Sequence, residues 1–190
     1  ERLRPAGPKR ALEHLYSVEL ERVNLPTAGE PGSIVLVGRG ALSRELRLPC
    51  FGRVSELAAA DRPSPPFILL DFTDDAEGDL AGAAAQSAIA GLHELQAFLA
   101  DQSLQDTCLV AVTRRAIGNG SAPSPAGLAH APLWGLVRSA RREHPQRRLR
   151  LLDLDAVDSG LFAAALAVES EPELLLRDGA LWAPRLRRAS

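Results

Sequence analysis

The segment best suited to binding a phosphate group is Gly38-Arg39-Gly40, which closes the apolar run SIVLV. Glycines between a buried strand and a helix let the backbone approach a pyrophosphate at the helix N-terminus. A complete dinucleotide fingerprint would have a third glycine at Ser43 and an acidic ribose ligand ending a second strand about 20 residues further on. Glu56 lies near that distance, but the FGRVS before it is a poor strand pattern. We therefore interpret this segment as a vestigial or structural turn.

The acid–base pair of short-chain reductases is a tyrosine that donates a proton and a nearby lysine that lowers the tyrosine's pKa. The chain has a single tyrosine, Tyr16, and a single lysine, Lys9. Leu20 stands four positions after Tyr16, where the lysine would be required. The sequence therefore excludes hydride transfer by this mechanism for this chain alone, and we expect it to contain no catalytic residue.

Motifs of other enzyme classes are incomplete. His93-Glu94 begins a zinc-binding HExxH pattern, but the fifth position is Ala97. The sequence has neither a GxSxG elbow nor a GxxxxGKS/T phosphate loop. Cys50 and Cys108 are isolated, which predicts reduced thiols and no zinc site. Scattered histidines are expected at the surface or at helix ends: His14, His93, His130 and His144.

An acidic cluster follows the apolar run PFILLDF and raises the question of a cation site. Its members are Asp71, Asp74, Asp75, Glu77 and Asp79. Their spacing does not match an EF-hand loop. We interpret the cluster as a solvated acidic loop and expect no metal.

Three arginines, Arg138, Arg141 and Arg142, share one side of a predicted helix, with Trp134 one turn earlier. Tryptophan and arginine are enriched at protein–protein interfaces, so the four residues are candidates for an interface. The alternative is a tryptophan that covers a sheet beside a solvated arginine face. The sequence leaves both interpretations open.

Short apolar runs predict buried parallel strands at residues 33–38, 66–72, 106–113 and 149–154. Residues 14–25 alternate and predict a strand with one exposed face. Residues 174–184 predict two strands joined by a tight turn at Asp178-Gly179.

Helices are predicted between these strands. The first covers 83–101, with an inner stripe of Ala85, Ile89, Leu92, Leu95 and Leu99. The second covers 125–143; Ser124 caps it and His144-Pro145 ends it. A third covers 158–170. Alternating strands and helices predict an α/β fold: a truncated, Rossmann-like, mostly parallel sheet with helices on both faces.

Composition limits the classes of partner. The formal net charge is -2, which argues against the basic footprint of a nucleic-acid-binding domain. No apolar run approaches the roughly 20 residues needed to span a bilayer, and no leader resembles a signal peptide. We therefore expect a cytoplasmic protein with no nucleic-acid or membrane partner. Because the chain starts at Glu1 and has no methionine, we expect a fragment of a longer polypeptide.

Five stretches, in order, resemble the structural subdomain of ketoreductases from modular polyketide synthases. They are HLYSVELERVNLP, FILLDFT, LHELQAFLADQSLQDTCLVAVTRRAIG, LAHAPLWGLVRSARREHPQRRLRLLDLD and EPELLLRDGALWAPRL. The fourth stretch is the most specific. The resemblance implies a linker at 1–13, the subdomain at 14–188, and the start of another linker at 189–190.

The resemblance implies a division of labour between two Rossmann-like halves. The first half is a cofactor-free scaffold, and the second binds NADPH and carries the catalytic residues. This chain would then be the scaffold, binding no cofactor. Its partners would be the catalytic subdomain and adjacent synthase domains, and indirectly an acyl carrier protein.

Two alternatives remain open at this stage. The chain could be a pseudo-ketoreductase, a structural remnant that supports a neighbouring methyltransferase, dehydratase or enoylreductase domain. It could also be an independent nucleotide-binding enzyme, although the glycine segment is incomplete and no acid–base pair is evident.

Overall fold

The computed structural model describes residues 15–25, 32–59, 63–76, 78–118 and 125–188. Both predicted linkers, 1–13 and 189–190, lie outside these residues, as do individual residues discussed above: Lys9, His14, Glu77 and Ser124. The described part of the chain contains no helix that could span a membrane.

One sheet of eight strands runs through the described residues. The strands are β1 (Tyr16–Val23), β2 (Ile34–Val37), β3 (Cys50–Phe51), β4 (Phe67–Phe72), β5 (Cys108–Arg114), β6 (Arg148–Leu154), β7 (Glu173–Arg177) and β8 (Ala180–Arg188). They lie side by side in the order β1-β8-β7-β6-β5-β4-β2-β3. Neighbours from β7 across to β3 are parallel, whereas β8 is antiparallel to β7 and to β1. The predicted mostly parallel α/β sheet is confirmed.

Helices cover both faces of the sheet. In the described residues the α-helices are α1 (Ala41–Leu46), α2 (Val54–Ala59), α3 (Leu80–Ala100), α4 (Pro125–Leu128), α5 (Pro132–Glu143) and α6 (Ser159–Ala167). Side chains of α2, α3 and α5 pack on one face, called the first face below, where Phe98 and Trp134 are buried. α1 and α6 pack on the second face, around Leu42 and Phe162.

The winding of the chain reverses between β2 and β4. From β2 the chain moves outward to β3 at the edge of the sheet, and after α2 it returns to place β4 on the other side of β2. Parallel α/β sheets bind ligands at such a reversal, beyond the carboxyl ends of the strands. Among the described strands only β2 and β3 lie on one side of the reversal, so the doubly wound arrangement is truncated.

The buried face of α3 differs from the predicted stripe. Its buried residues are Ser87, Gly91, Leu95 and Phe98. Ile89 and Leu92, predicted to lie inside, are 55% and 39% exposed. A Cβ at Gly91 would overlap the Leu133 side chain of α5, so the close approach of these two helices requires the glycine to face inward. The helix was predicted correctly, but its inner stripe only in part: Leu95 and Leu99 pack on the first face, whereas Ala85, Ile89 and Leu92 are exposed.

The continuous helix predicted over 125–143 is interrupted. A turn at residues 129–131 separates α4 from α5, which begins at Pro132. Proline suits this first helical position, because its missing N–H would have no partner within the helix. α5 ends at Glu143, as predicted, because His144 precedes Pro145 and leaves the helical region.

The antiparallel strands β1 and β8 form a two-stranded ribbon at one edge of the sheet. Asp178-Gly179 joins β7 to β8 with positive φ angles of 48° and 70°, which confirms the predicted tight turn. On the first face of the sheet, Val18 lies opposite Leu186 in the ribbon. On the second face the ribbon is charged, and Glu21 there pairs with Arg187.

Candidate functional site

The reversal between β2 and β4 brings the glycine segment, the start of α1 and the end of β4 together. The N–H of Ser43 donates to the Asp71 carboxylate over 2.9 Å, and the N–H of Leu42 donates to the Thr73 hydroxyl over 2.9 Å. The Thr73 hydroxyl in turn donates to Asp71. Asp71 and Thr73 are 7% and 1% exposed. These two backbone donors at the start of α1 are therefore already bonded to side chains of the same chain.

The two glycines make room for this arrangement. Gly38 has a φ of 114°, which side-chain-bearing residues rarely adopt. Gly40 lies directly against the Asp71 carboxylate, and a Cβ there would overlap the carboxylate oxygens. A phosphate group is larger than a methyl group and is repelled by a carboxylate. The geometry therefore fits the structural-turn interpretation: Asp71 fills the space beside Gly40 and binds an N–H at the start of α1.

The acidic residue that a ribose would require is not at a strand end. β3 ends at Phe51, and Glu56 lies in α2, where its carboxylate accepts the N–H of Gly52 over 2.8 Å. Glu94, from the incomplete zinc pattern, accepts the N–H of Val54 over 2.8 Å and so ties α3 to the start of α2. In the ranges that the structure covers, no group of three or more His, Cys, Asp or Glu side chains could hold a metal.

The acidic cluster is a solvated loop only in part, which corrects the prediction. Asp71 is buried, because the register of β4 turns it toward α1. Asp79 caps α3 by accepting the N–H of Gly82 over 2.8 Å. Asp74 pairs with Arg44 on the surface. Three members of the cluster thus have structural partners.

A Ser87–His130 pair, for which the spacing gave no signal, joins α3 to the turn before α5. The Ser87 hydroxyl lies 2.9 Å from His130 Nδ1, and His130 Nε2 lies 2.9 Å from the Asp74 carbonyl oxygen. In the neutral imidazole, Nε2 donates to that carbonyl and Nδ1 accepts from the hydroxyl. Ser87 is 7% exposed, so the pair links structural elements and does not present a nucleophile to solvent.

A buried ion pair connects the carboxyl ends of β6 and β7. Asp153 is fully buried, and it pairs with Arg177, which is 5% exposed. The same carboxylate accepts the Thr113 hydroxyl and the N–H groups of Ala116 and Ile117. With these partners it fixes the loop after β5. The sequence signal was an aspartate inside the apolar run LRLLDL.

Trp134 lies inside the molecule. It is 2% exposed, and its indole N–H donates to the Thr113 hydroxyl over 3.1 Å. The Arg138 guanidinium lies over the ring, 5.4 Å from its centroid. Of the two interpretations left open, a tryptophan that covers the sheet describes its position.

The arginines of α5 are not simply solvated. Glu173, 9% exposed, accepts hydrogen bonds from Arg138 over 3.0 Å and from Arg141 over 2.7 Å. Burial alone would raise the pKa of Glu173, but the hydrogen bonds and charges of Arg138 and Arg141 outweigh burial, and its pKa lies below the usual value. Arg142 is exposed and forms no ion pair within the described residues.

A groove on the first face runs between α5 and the ribbon. Its deeper part, with a volume of about 730 Å³, is lined by Val18, Trp182, Pro184 and the edge of Trp134. A shallower continuation of about 440 Å³ is lined by arginines and by Leu186. We call the two parts together the ribbon groove. The four predicted interface residues all line it: Trp134, Arg138, Arg141 and Arg142. Their role in an interface stays a prediction.

Residues 18–186 match the family described as polyketide synthase extender module SpnB, Rossmann fold domain. Among curated proteins, Polyketide synthase GfsA of Streptomyces halstedii is 31% identical over 183 residues. That match covers 94% of this chain and 2% of GfsA, so the chain spans only a small part of this relative.

Solved structures share the fold. A ketoreductase from the first module of phoslactomycin biosynthesis in Streptomyces sp. HK803 is 26% identical, with a TM-score of 0.59 over 92% of this chain and 38% of its own. An A-type ketoreductase from a modular polyketide synthase gives a TM-score of 0.66 at 23% identity, over 92% of this chain and 43% of its own. Both similarities are to less than half of the solved chain.

Proposed function

We propose, because the chain belongs to the Rossmann fold domain family of polyketide synthase extender modules, that it is the non-catalytic scaffold half of a ketoreductase. In this proposal a separate catalytic half binds NADPH and reduces a β-ketoacyl intermediate attached to an acyl carrier protein. The scaffold half binds the folded catalytic half and thereby raises its free energy of unfolding.

The observation that carries the proposal is the position of Asp71 at the reversal of the sheet. Its carboxylate accepts the N–H of Ser43 and lies against Gly40. In dinucleotide-binding sheets the pyrophosphate is held by backbone N–H groups at the start of the helix that follows the glycine turn. Here an internal carboxylate holds one of those N–H groups, and its negative charge opposes a phosphate.

The proton-donating tyrosine of a reductase also has no counterpart at the reversal of the sheet. The single tyrosine, Tyr16, is 54% exposed and lies on the ribbon at the far edge of the sheet. The phoslactomycin ketoreductase matches this chain over 38% of its length, which leaves most of a ketoreductase chain for a separate catalytic half.

Calorimetric titration of the isolated chain with NADPH tests the proposal. We expect no saturable binding at high micromolar cofactor and no upward shift of the melting temperature. The intact synthase polypeptide, which carries the catalytic half, serves as the positive control. Saturable binding by the isolated chain would overturn the proposal and direct mutagenesis to the segment 38–43.

A further inference from the structure

The row of helices on the first face stops short of the edge of the sheet. Side chains of α2, α3 and α5 cover the central strands, but no helix in the described residues lies over the outer part of the ribbon. Two strands about 4.8 Å apart present a strip about 10 Å wide, which matches the diameter of one helix. The ribbon therefore has room for one more helix beside α5.

The uncovered strip is apolar in its middle, between Arg188 at one end and Arg22 at the other. Val18 and Leu186 lie opposite each other and are 67% and 69% exposed, and Tyr16, 54% exposed, continues the strip along the same face. Leu20 and Pro184, the next opposite pair, extend it into the ribbon groove. Contiguous exposed apolar surface of this kind marks an interaction site more often than single exposed residues do.

The exposed apolar surface is confined to one face of the ribbon, because the outer part of the other face carries polar and charged side chains. There Ser17 lies opposite Arg187, which pairs with Glu21. One face of the ribbon is thus suited to water, whereas the face beside α5 is suited to a protein partner.

The charged side chains at the rim of the groove indicate which charge a protein partner would carry. Its shallower part is lined by two glutamates, Glu171 and Glu173, and by four arginines, Arg138, Arg141, Arg142 and Arg185. This leaves an excess of positive charge. Arg142 forms no ion pair within the described ranges, so it is available to a carboxylate from outside.

We propose that the ribbon groove receives one amphipathic helix of the catalytic half, with its apolar side chains on Val18, Leu20 and Leu186 and its carboxylates toward Arg142. The inference rests on the proposed function and names the surface through which that function operates. The helix completes the row on the first face of the sheet. Trp134 contributes only to the floor of the groove, because it is already buried within this chain.

Thiol accessibility in the intact synthase polypeptide tests the proposal. Cys50→Ser removes the exposed native thiol of this domain, and Cys108 is buried. In that background, Val18→Cys places a thiol in the groove, and Ser17→Cys places one on the other face of the same strand. Each maleimide reaction rate is measured by mass spectrometry of the labelled peptide and divided by its rate in urea.

We expect Val18→Cys to react at least about tenfold more slowly than Ser17→Cys, because the covered thiol reacts only after local opening. Adding Arg142→Glu should raise the Val18→Cys rate about threefold by repelling the carboxylates. Arg53→Glu, an exposed arginine of the same domain remote from the groove, should leave the rate unchanged.

Equal rates at positions 17 and 18 would overturn the docking proposal. Protection that decreases on dilution would also overturn it, because it would show that a second copy of the polypeptide covers the groove. Neither result bears on the proposed function, which is contradicted if the isolated chain binds NADPH. The two experiments therefore separate a wrong surface from a wrong function.

Discussion

Replacing Asp71 should destabilise the isolated chain. Asp71→Ala leaves the N–H of Ser43 and the hydroxyl of Thr73 without their acceptor in a closed part of the fold. An unpaired buried polar group costs about 1–3 kcal/mol, and we expect the free energy of unfolding in urea to fall by that amount. Asp75→Ala, an exposed position in the same loop, is the control and should change it by less than about 0.5 kcal/mol. Equal losses would argue against an internal role for Asp71.

Glu173 should make stability dependent on pH. Because its pKa is depressed in the folded state, its contribution is complete above the ordinary glutamate pKa of about 4.3 and is lost as the pH falls through the lower folded pKa. Glu173→Gln should cost about 1 kcal/mol at neutral pH, a modest amount because the Arg138 side chain is 48% exposed.

Urea unfolding of the wild-type chain and of Glu173→Gln at several pH values measures this contribution. We expect the two curves to converge as the pH falls below about 4. A difference that stays constant from neutral to acidic pH would show that the Glu173 charge is not its source.

At the scale of elements, α3 offers a direct test of which helix face is buried. Ile89→Gln should leave the free energy of unfolding within about 0.5 kcal/mol, since Ile89 is 55% exposed. Leu95→Ala should cost about 2–5 kcal/mol, since Leu95 is 2% exposed and packs on the first face of the sheet. Denaturant unfolding measures the free energy of unfolding of both variants. Comparable losses would show that Ile89 is buried, as the sequence predicted.

The elements differ in how well their sequences define them. The buried parallel strands were predictable, because runs such as FILLDF and CLVAVT are apolar on both faces and need no knowledge of their neighbours. The inner face of α3 was predictable only in part, since alanine, isoleucine and leucine occur on several sides of this helix. Its orientation depends on Gly91 meeting Leu133, a contact between helices that are distant in sequence.

For the whole molecule, the sequence was sufficient for the fold class. The internal role of Asp71 was not predictable, because its partner Ser43 lies 28 positions earlier in the chain. The same holds for Asp153 with Ala116 and for Ser87 with His130, which are separated by 37 and 43 positions. Such side chains resemble site residues in a sequence until the fold supplies their partners.

The pairing of β1 with β8 has a consequence for synthesis of the chain. Tyr16 lies opposite Arg188, so the first strand finds its partner only when the last strand has been made. Closing so long a loop carries a large entropy cost, and during translation the ribbon can form only after the rest of the sheet. The two ends of the described fold then emerge side by side. A domain with this topology can be inserted into a longer polypeptide without separating the segments that flank it.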